Sequence, residues 1–404
     1  MAYDVHAVRA AIPGLLPDSA RFDAPGGTQT PRPVVDAIAA TLLGPLANRG
    51  PHSPGERAAE AVVGAARAAL ADFVAGDPRG VVFGRSATQL TYDLARTLSR
   101  TWTAGDEVVV TRLDHDANIR PWTQAAEAVG ATVRMADFDP DSGELTADQL
   151  AAVLSPRTRL VAVTAASNLI GTRPDIPKIA ELVHGAGALL HLDAVHYAAH
   201  TAVDLAALGA DTLVCSPYKF LGPHLGVLAA RPEFLETLRP QKLLPSSDRV
   251  PERFELGTLP YELLAGAAAA VDFLAALDPA ATGSRRERLE ASFAALAGHE
   301  RSLRDRLEAG LAALPSVTVR SRAARRTSTL LVTVAGQSAA DLSRRLAERG
   351  VYVPAGSFYA LEASRHLGLG DEGGLRIGPA PYTSTEEVDL LLETLGDLIR
   401  QRGR

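Results

Sequence analysis

DTLVCSPYKFLG, residues 211–222, carries an apolar strand-like run into a lysine, Lys219, and this stretch decides the fold. Only three lysines, Lys178, Lys219 and Lys242, stand among the 41 Lys and Arg residues, so Arg supplies plain positive charge almost everywhere. Arg keeps its proton at any usable pH, whereas a Lys amine can lose one and attack a carbonyl to give a Schiff base. A lysine at a strand end in this chain therefore points to chemistry rather than to charge. Twenty-six residues upstream, LLHLDAVHYAAH (189–200) places Asp193 at the end of another apolar run. An acid there can hold a pyridinium nitrogen while the lysine carries an aldehyde, the pairing that pyridoxal phosphate (PLP) chemistry requires.

Outward from this pair, short apolar runs alternate with amphipathic stretches. VVF (81–83), EVVVT (107–111), TVRMADF (132–138), LVAVTAA (160–166), ALLHLDA (188–194) and TLVCS (212–216) read as strands, and segments such as DIPKIAELVHGAG (175–187) as helices between them. The pattern predicts an α/β fold with a mostly parallel sheet covered on both faces. In such sheets ligands collect beyond the carboxyl ends of the strands, where Asp193 and Lys219 fall. Residues 1–30 form an arm with a turn-rich segment, DAPGGTQTP (23–31). After Pro260 the composition changes: YELLAGAAAAVDFLAAL (261–277) reads as a long helix, and 281–314 as a connector with an exposed helix. VTVRS (317–321) and STLLVTVAG (328–336) then read as strands of a smaller unit that ends with helices at 338–349 and 384–400. The expected division is an arm over 1–30 packing on the small domain, a large domain over 31–280 and a small α+β domain over 281–404.

A chain of 404 residues with 47% hydrophobic and 22% charged residues is a globular protein with a substantial core. Aromatics make up 5%, so Ala-rich helices lying close on strands must supply most of the packing. The net charge of −6 gives no reason to expect nucleic acid as a partner. One cysteine, Cys215, excludes an intrachain disulfide and a multi-cysteine zinc site. The first residues lack the basic and apolar blocks of a signal peptide, and no stretch reads as a membrane span. The expectation is a soluble, cytoplasmic protein without membrane or metal.

Further polar residues fall at predicted strand ends. SATQLTYDL (86–94) puts Ser86 and Thr88 at a helix start, where free N–H groups favour a phosphate; the competing reading is an N-cap that bonds only the backbone. RLDHDANIRPW (112–122) offers His115, flat enough to stack on a planar cofactor and able to carry a proton, or else a structural loop histidine. Asn168 in SNLIGT (167–172) suits a phenolic oxygen or a turn, and His196 can reach the same oxygen or pair with Asp193. Ser216 and Tyr218 flank Lys219 and read as phosphate ligands or turn chemistry. FYALEASRHLGLGDEGG (358–374) is expected to cover the site entrance, with Phe358, Tyr359 and His366 hinting at a partly aromatic pocket.

Taken in order, HDANIRPW, SNLIGT, HLDAVH, SPYKFLGPHLG, FELGTLP and LRIGPAPYTSTEEVD resemble fold-type I PLP enzymes of the class V aminotransferase group, in its cysteine desulfurase-like branch. The resemblance covers nearly the whole chain and implies a seven-stranded-type sheet in the large domain. It implies Lys219 as the cofactor lysine, Asp193 at the pyridine nitrogen, His115 stacked on the ring, and Asn168 with His196 at the ring oxygen. Thr88, Ser216 and Tyr218 are implied at the phosphate. Thr258 is implied to reach the phosphate of a neighbouring subunit in a homodimer, and Arg376 to clamp the substrate carboxylate with help from Asn168. Arg suits that role because its fork matches a carboxylate bidentately, although a surface salt bridge is its structural alternative.

Departures from the family pattern are equally informative. Desulfurases carry a nucleophilic cysteine in a C-terminal loop, and PAGSFYALEASRHLGLGDEGGLR (354–376) has none. His196 stands where many desulfurases have Gln, Tyr218 where they have His, and Asn48 where they have an active-site His. The expected function is a PLP enzyme acting on a small amino acid by amino transfer or by β-elimination with C–S cleavage, racemisation staying open. The alternatives are true cysteine desulfurase-type sulfur transfer and a non-catalytic scaffold. No GxGxxG joins a first strand to a helix, which argues against a dehydrogenase.

Overall fold

The computed structural model describes residues 3–401. Seven strands, β1 (Val81–Gly84), β2 (Glu107–Thr111), β3 (Thr132–Ala136), β4 (Thr158–Thr164), β5 (Leu189–Asp193), β6 (Thr212–Cys215) and β7 (Gly226–Ala230), form one sheet in the order β1-β7-β6-β5-β4-β2-β3. Neighbours pair in parallel from β6 to β3, and β7 alone runs against the rest. The alternating sequence pattern did not reveal β7. A parallel return needs a crossover of a dozen or more residues, and only residues 216–225 separate β6 from β7, so the chain can only turn back on itself.

Side chains alternate across this sheet as its pleat demands. Val108, Val110, Leu160, Ala162, Val214 and Leu228 bury into one core, while Val109, Val161, Val163, Leu190, Leu192 and Leu213 bury into another on the opposite face. Burial on both faces explains why these strands read as continuous apolar runs.

Four further strands, β8 (Val317–Val319), β9 (Leu330–Val334), β10 (Ala355–Gly356) and β11 (Gly374–Ile377), form an antiparallel sheet in the order β10-β11-β9-β8. The segment read as a connector and exposed helix is mostly one 28-residue helix, Arg285–Ala312, started by a Ser284/Glu287 capping box. It is not simply exposed. Leu289, Phe293 and Leu296 bury in the core of the large sheet, and Leu303, Leu307 and Leu311 in that of the small one. Steps of three, four and seven keep these residues on one stripe, which the surrounding Arg and Glu mask in a composition count.

The arm lies on the small sheet's unit: Ala20 and Arg21 pair in parallel with Val351 and Tyr352, and Arg9 Nη1 meets Glu387 Oε2 at 2.7 Å. Among the described residues no helix is long and apolar enough to cross a membrane.

The carboxyl ends of β1, β2, β4, β5 and β6 lead into residues 86–88, 115, 168, 193–196 and 216–219 respectively. Gly226 sets the first of these. A Cβ there would lie 2.3 Å from the Ser86 carbonyl carbon and 2.7 Å from Ala87 N, so only glycine lets the Ala87–Leu98 helix start against β7. Gly226→Ala is expected to lower stability by about 1–3 kcal/mol in urea unfolding. Gly298→Ala, at a helical glycine with open space around its Cβ position, should leave stability unchanged or raise it.

Candidate active site

Beyond the strand ends lies a cavity of about 780 Å³ lined by Thr88, His115, Asn168, Asp193, His196, Ser216, Tyr218, Lys219 and Arg376. Lys219 closes a 3₁₀ turn, Pro217–Lys219, directly after β6. Its amine donates to the Pro25 carbonyl and sits 4.8 Å from the centre of the Tyr218 ring. Burial, reinforced by the Arg376 charge and opposed by Asp193, lowers this amine to about 7. Asp193 ends β5 and is 7% exposed. Its Oδ1 accepts from Val195 N at 2.8 Å, and burial raises the carboxyl to about 6 against that bond and the Lys219 charge. A buried amine and a buried acid, both poised near neutrality, thus share one cavity.

Arg376, on β11, is 3% exposed and has no carboxylate within salt-bridge distance among the described residues. Its Nη1 donates to Asn168 O at 3.0 Å, while Nε is buried without an acceptor. Burial lowers its pKa to about 9, and Asp23 and Tyr218 only partly counter this. The surface salt bridge considered for this residue is therefore absent. A buried guanidinium with an unpaired donor carries a desolvation cost that a hydrogen-bonding anion would offset.

His115 follows β2, and its Nδ1 accepts from Ala117 N at 3.0 Å. Burial first, then Lys219 and Arg376, lowers the imidazole to about 4, so at neutral pH the ring is uncharged and Nε2 carries the proton. Asn168 Nδ2 donates to Phe358 O at 2.9 Å, and Oδ1 is buried without a partner. His196 does not pair with Asp193; its Nε2 meets Thr327 Oγ1 at 3.2 Å and its ring packs edge-on against His200. His200 is held in turn by Glu300 at 2.8 Å.

Ser86 also lines the cavity and caps the helix by accepting from Gln89 N at 3.1 Å. The capping reading therefore holds for Ser86. The amides of Ala87 and Thr88 precede the first intrahelical bond and have no backbone acceptor among the described residues. Ser216 makes no capping bond, and Tyr218 stacks on His224 with ring centres 4.7 Å apart. Thr258 is not brought here; it lines a separate cleft of about 290 Å³ beside Phe254 and Leu256.

Phe358 and Tyr359 line the cavity mouth, but His366 does not: its Nε2 meets Phe138 O at 2.7 Å and its ring lies edge-on to Phe138. A position on the short Leu361–His366 helix turns that ring inward to the core. Sequence reasoning missed Pro25 and Gly26, whose backbone walls the cavity next to Lys219. The Gly-Gly step was the available signal, since Gly27 adopts φ +152° and its Cβ position lies 3.2 Å from the Tyr218 ring. Asp116, Arg120, Tyr92 and Gln124 also line the cavity, and no sequence signal set them apart from surface polar residues.

Residues 21–391 match the aminotransferase class-V family. The chain belongs to that family. A probable cysteine desulfurase of Pseudomonas aeruginosa is 32% identical, covering 94% of each chain. An aminotransferase-like protein of Gibberella zeae is 30% identical, covering 98% of each. The apo structure of a cysteine desulfurase from Thermococcus onnurineus superposes with a TM-score of 0.89 at 26% identity, covering 99% of this chain and all of that one. Class V enzymes of this kind are PLP-dependent, and this chain is such an enzyme, with their large mixed α/β sheet.

The Lys219 amine reacts only when neutral, and a lowered pKa means that its proton leaves as pH rises through about 7. In cofactor-free protein, acylation of Lys219 followed by peptide mass spectrometry should rise with a midpoint near that value. A midpoint near the ordinary ~10.4 would contradict the burial described here.

Proposed function

We propose that this PLP enzyme transforms a small amino acid by amino transfer or β-elimination, without a persulfide-forming cysteine. The state of the single cysteine carries the reading. Cys215 is fully buried in β6, and burial pushes its thiol up to about 12, which leaves no nucleophilic thiolate at neutral pH. The residues over the cavity mouth are Phe358 and Tyr359. The desulfurase relatives favour sulfur transfer through a cysteine as the second reading, which this thiol is badly placed to perform.

The cavity suits the cofactor through its unpaired donors and acceptors. The free amides of Ala87 and Thr88, with the Thr88 and Ser216 hydroxyls, would hold the phosphate; Asp193 would face the ring nitrogen and His115 the ring. Asn168 and His196 would stand by the ring oxygen. Bound PLP supplies an aldehyde that joins amines and a cationic ring that draws electrons from the substrate α-carbon. Lys219, in its neutral form, would take the substrate α-proton at Nζ. Asp193 as a carboxylate would pair with the ring nitrogen and keep the ring cationic. Arg376 fixes the substrate carboxylate and so orients the α-C–H bond toward Lys219.

A homodimer completes the reading. Leu42, Leu43, Leu243, Leu244 and Leu256 are exposed, and Thr258, which shares a cleft with the last of these, would serve a second copy's phosphate site. Localisation in the cytoplasm belongs to the same proposal.

Borohydride should fix the cofactor at Lys219, and Asp193→Asn should lower turnover about 100-fold or more while cofactor stays bound. A colourless protein that PLP cannot reconstitute would favour the scaffold. Mixing holoenzyme with a panel of amino acids, and following pyruvate, ammonia and sulfide, separates transfer from elimination. Cys215→Ser should leave sulfide release unchanged, and its loss would restore the desulfurase reading.

A further inference from the structure

Two consecutive non-glycine residues over the cavity, Phe358 (φ 53°) and Tyr359 (φ 60°), adopt the left-handed conformation that side chains resist. Such strain persists only where surroundings over-determine it. Here two anchors do so. Asn168 Nδ2 donates to Phe358 O at 2.9 Å, and Asp116 N donates to Tyr359 O at 2.7 Å.

The consequence lies in where the Phe358 ring ends up. Its centre is 3.7 Å from the guanidinium carbon of Arg376. Arg376 Nη1 in turn donates to Asn168 O at 3.0 Å. Asn168, Phe358 and Arg376 thus form a closed circuit: backbone to guanidinium, guanidinium to ring, and ring residue back to the Asn168 amide. With Nη1 committed and an aromatic ring against the cation, the edge bearing Nε and Nη2 is what remains for a ligand. Nε is the buried donor that lacks an acceptor.

We propose that Phe358 is the positioning residue for carboxylate recognition, its ring holding the Arg376 edge in the orientation that receives the substrate carboxylate. The proposal rests on the reading of Arg376 as the carboxylate clamp. An ordinary buried arginine is held by an acid, which would compete with the substrate; an aromatic ring orients the cation without neutralising it. The strained backbone is what brings the ring to that place.

Propionate serves as the probe, its binding followed by calorimetry on cofactor-free protein and by the cofactor absorbance shift of the holoenzyme. Phe358→Ala and Phe358→Leu should each weaken propionate binding about tenfold, and Phe358→Tyr should restore it to within about threefold. With a turned-over amino acid, the loss should fall on KM more than on kcat. Unchanged or tighter binding in both Phe358→Ala and Phe358→Leu overturns the proposal, tighter binding marking the ring as a gate. Arg376→Gln separates the two levels: if it binds propionate like the parent, the clamp reading itself fails and the proposal falls with it.

Discussion

Desolvation of charge beyond the carboxyl ends of one sheet governs this protein. Lys219 and Arg376 are both cationic groups removed from water, and Asp193 is the single carboxylate acting on the amine. Burial lowers both cations, the Arg376 charge adding to it at Lys219, and burial followed by the two charges depresses His115 as well. A cavity in this condition favours anions, and in the proposed reading the phosphate of PLP and a substrate carboxylate would relieve it. The reactivity of the lysine and the affinity for ligand therefore share one physical origin.

That environment depends on parts of the chain far apart in sequence. The arm supplies the Pro25 carbonyl to the amine, β11 supplies Arg376, and the segment between β10 and β11 supplies the aromatic cover. The Arg285–Ala312 helix ties the two sheets' cores together along one apolar stripe and, through Glu300, holds His200 behind His196. The small unit is thus part of the wall of the site.

Most of the large sheet was legible, because strands buried on both faces must be apolar runs bounded by turns. β7 was not, since a short apolar run reached by a tight return carries no periodic signal. Residues directly following strands were also legible: a parallel sheet sends its strand ends to one side, so Ser86, His115, Asn168, Asp193 and Lys219 had to converge. His366 looked like a pocket residue by proximity to Phe358 and Tyr359, but the direction of a helical side chain depends on what the helix packs against. Thr258 lies apart from the cavity, in a cleft it shares with Phe254 and Leu256.

The sequence by itself determined the chemistry of the groups on offer: one strand-end lysine in an arginine-rich chain, an acid at the end of a neighbouring strand, and a single cysteine. Those are properties of composition and of the two-residue period of a strand, which no packing changes. Tertiary structure alone decided the electrostatic state of these groups, the unpaired edge of Arg376 and the ring laid against it. Such features arise from contacts across more than a hundred residues, such as Lys219 with Pro25 and Asn168 with Phe358, and from exclusion of water, which is a property of the assembled cavity and of no segment within it.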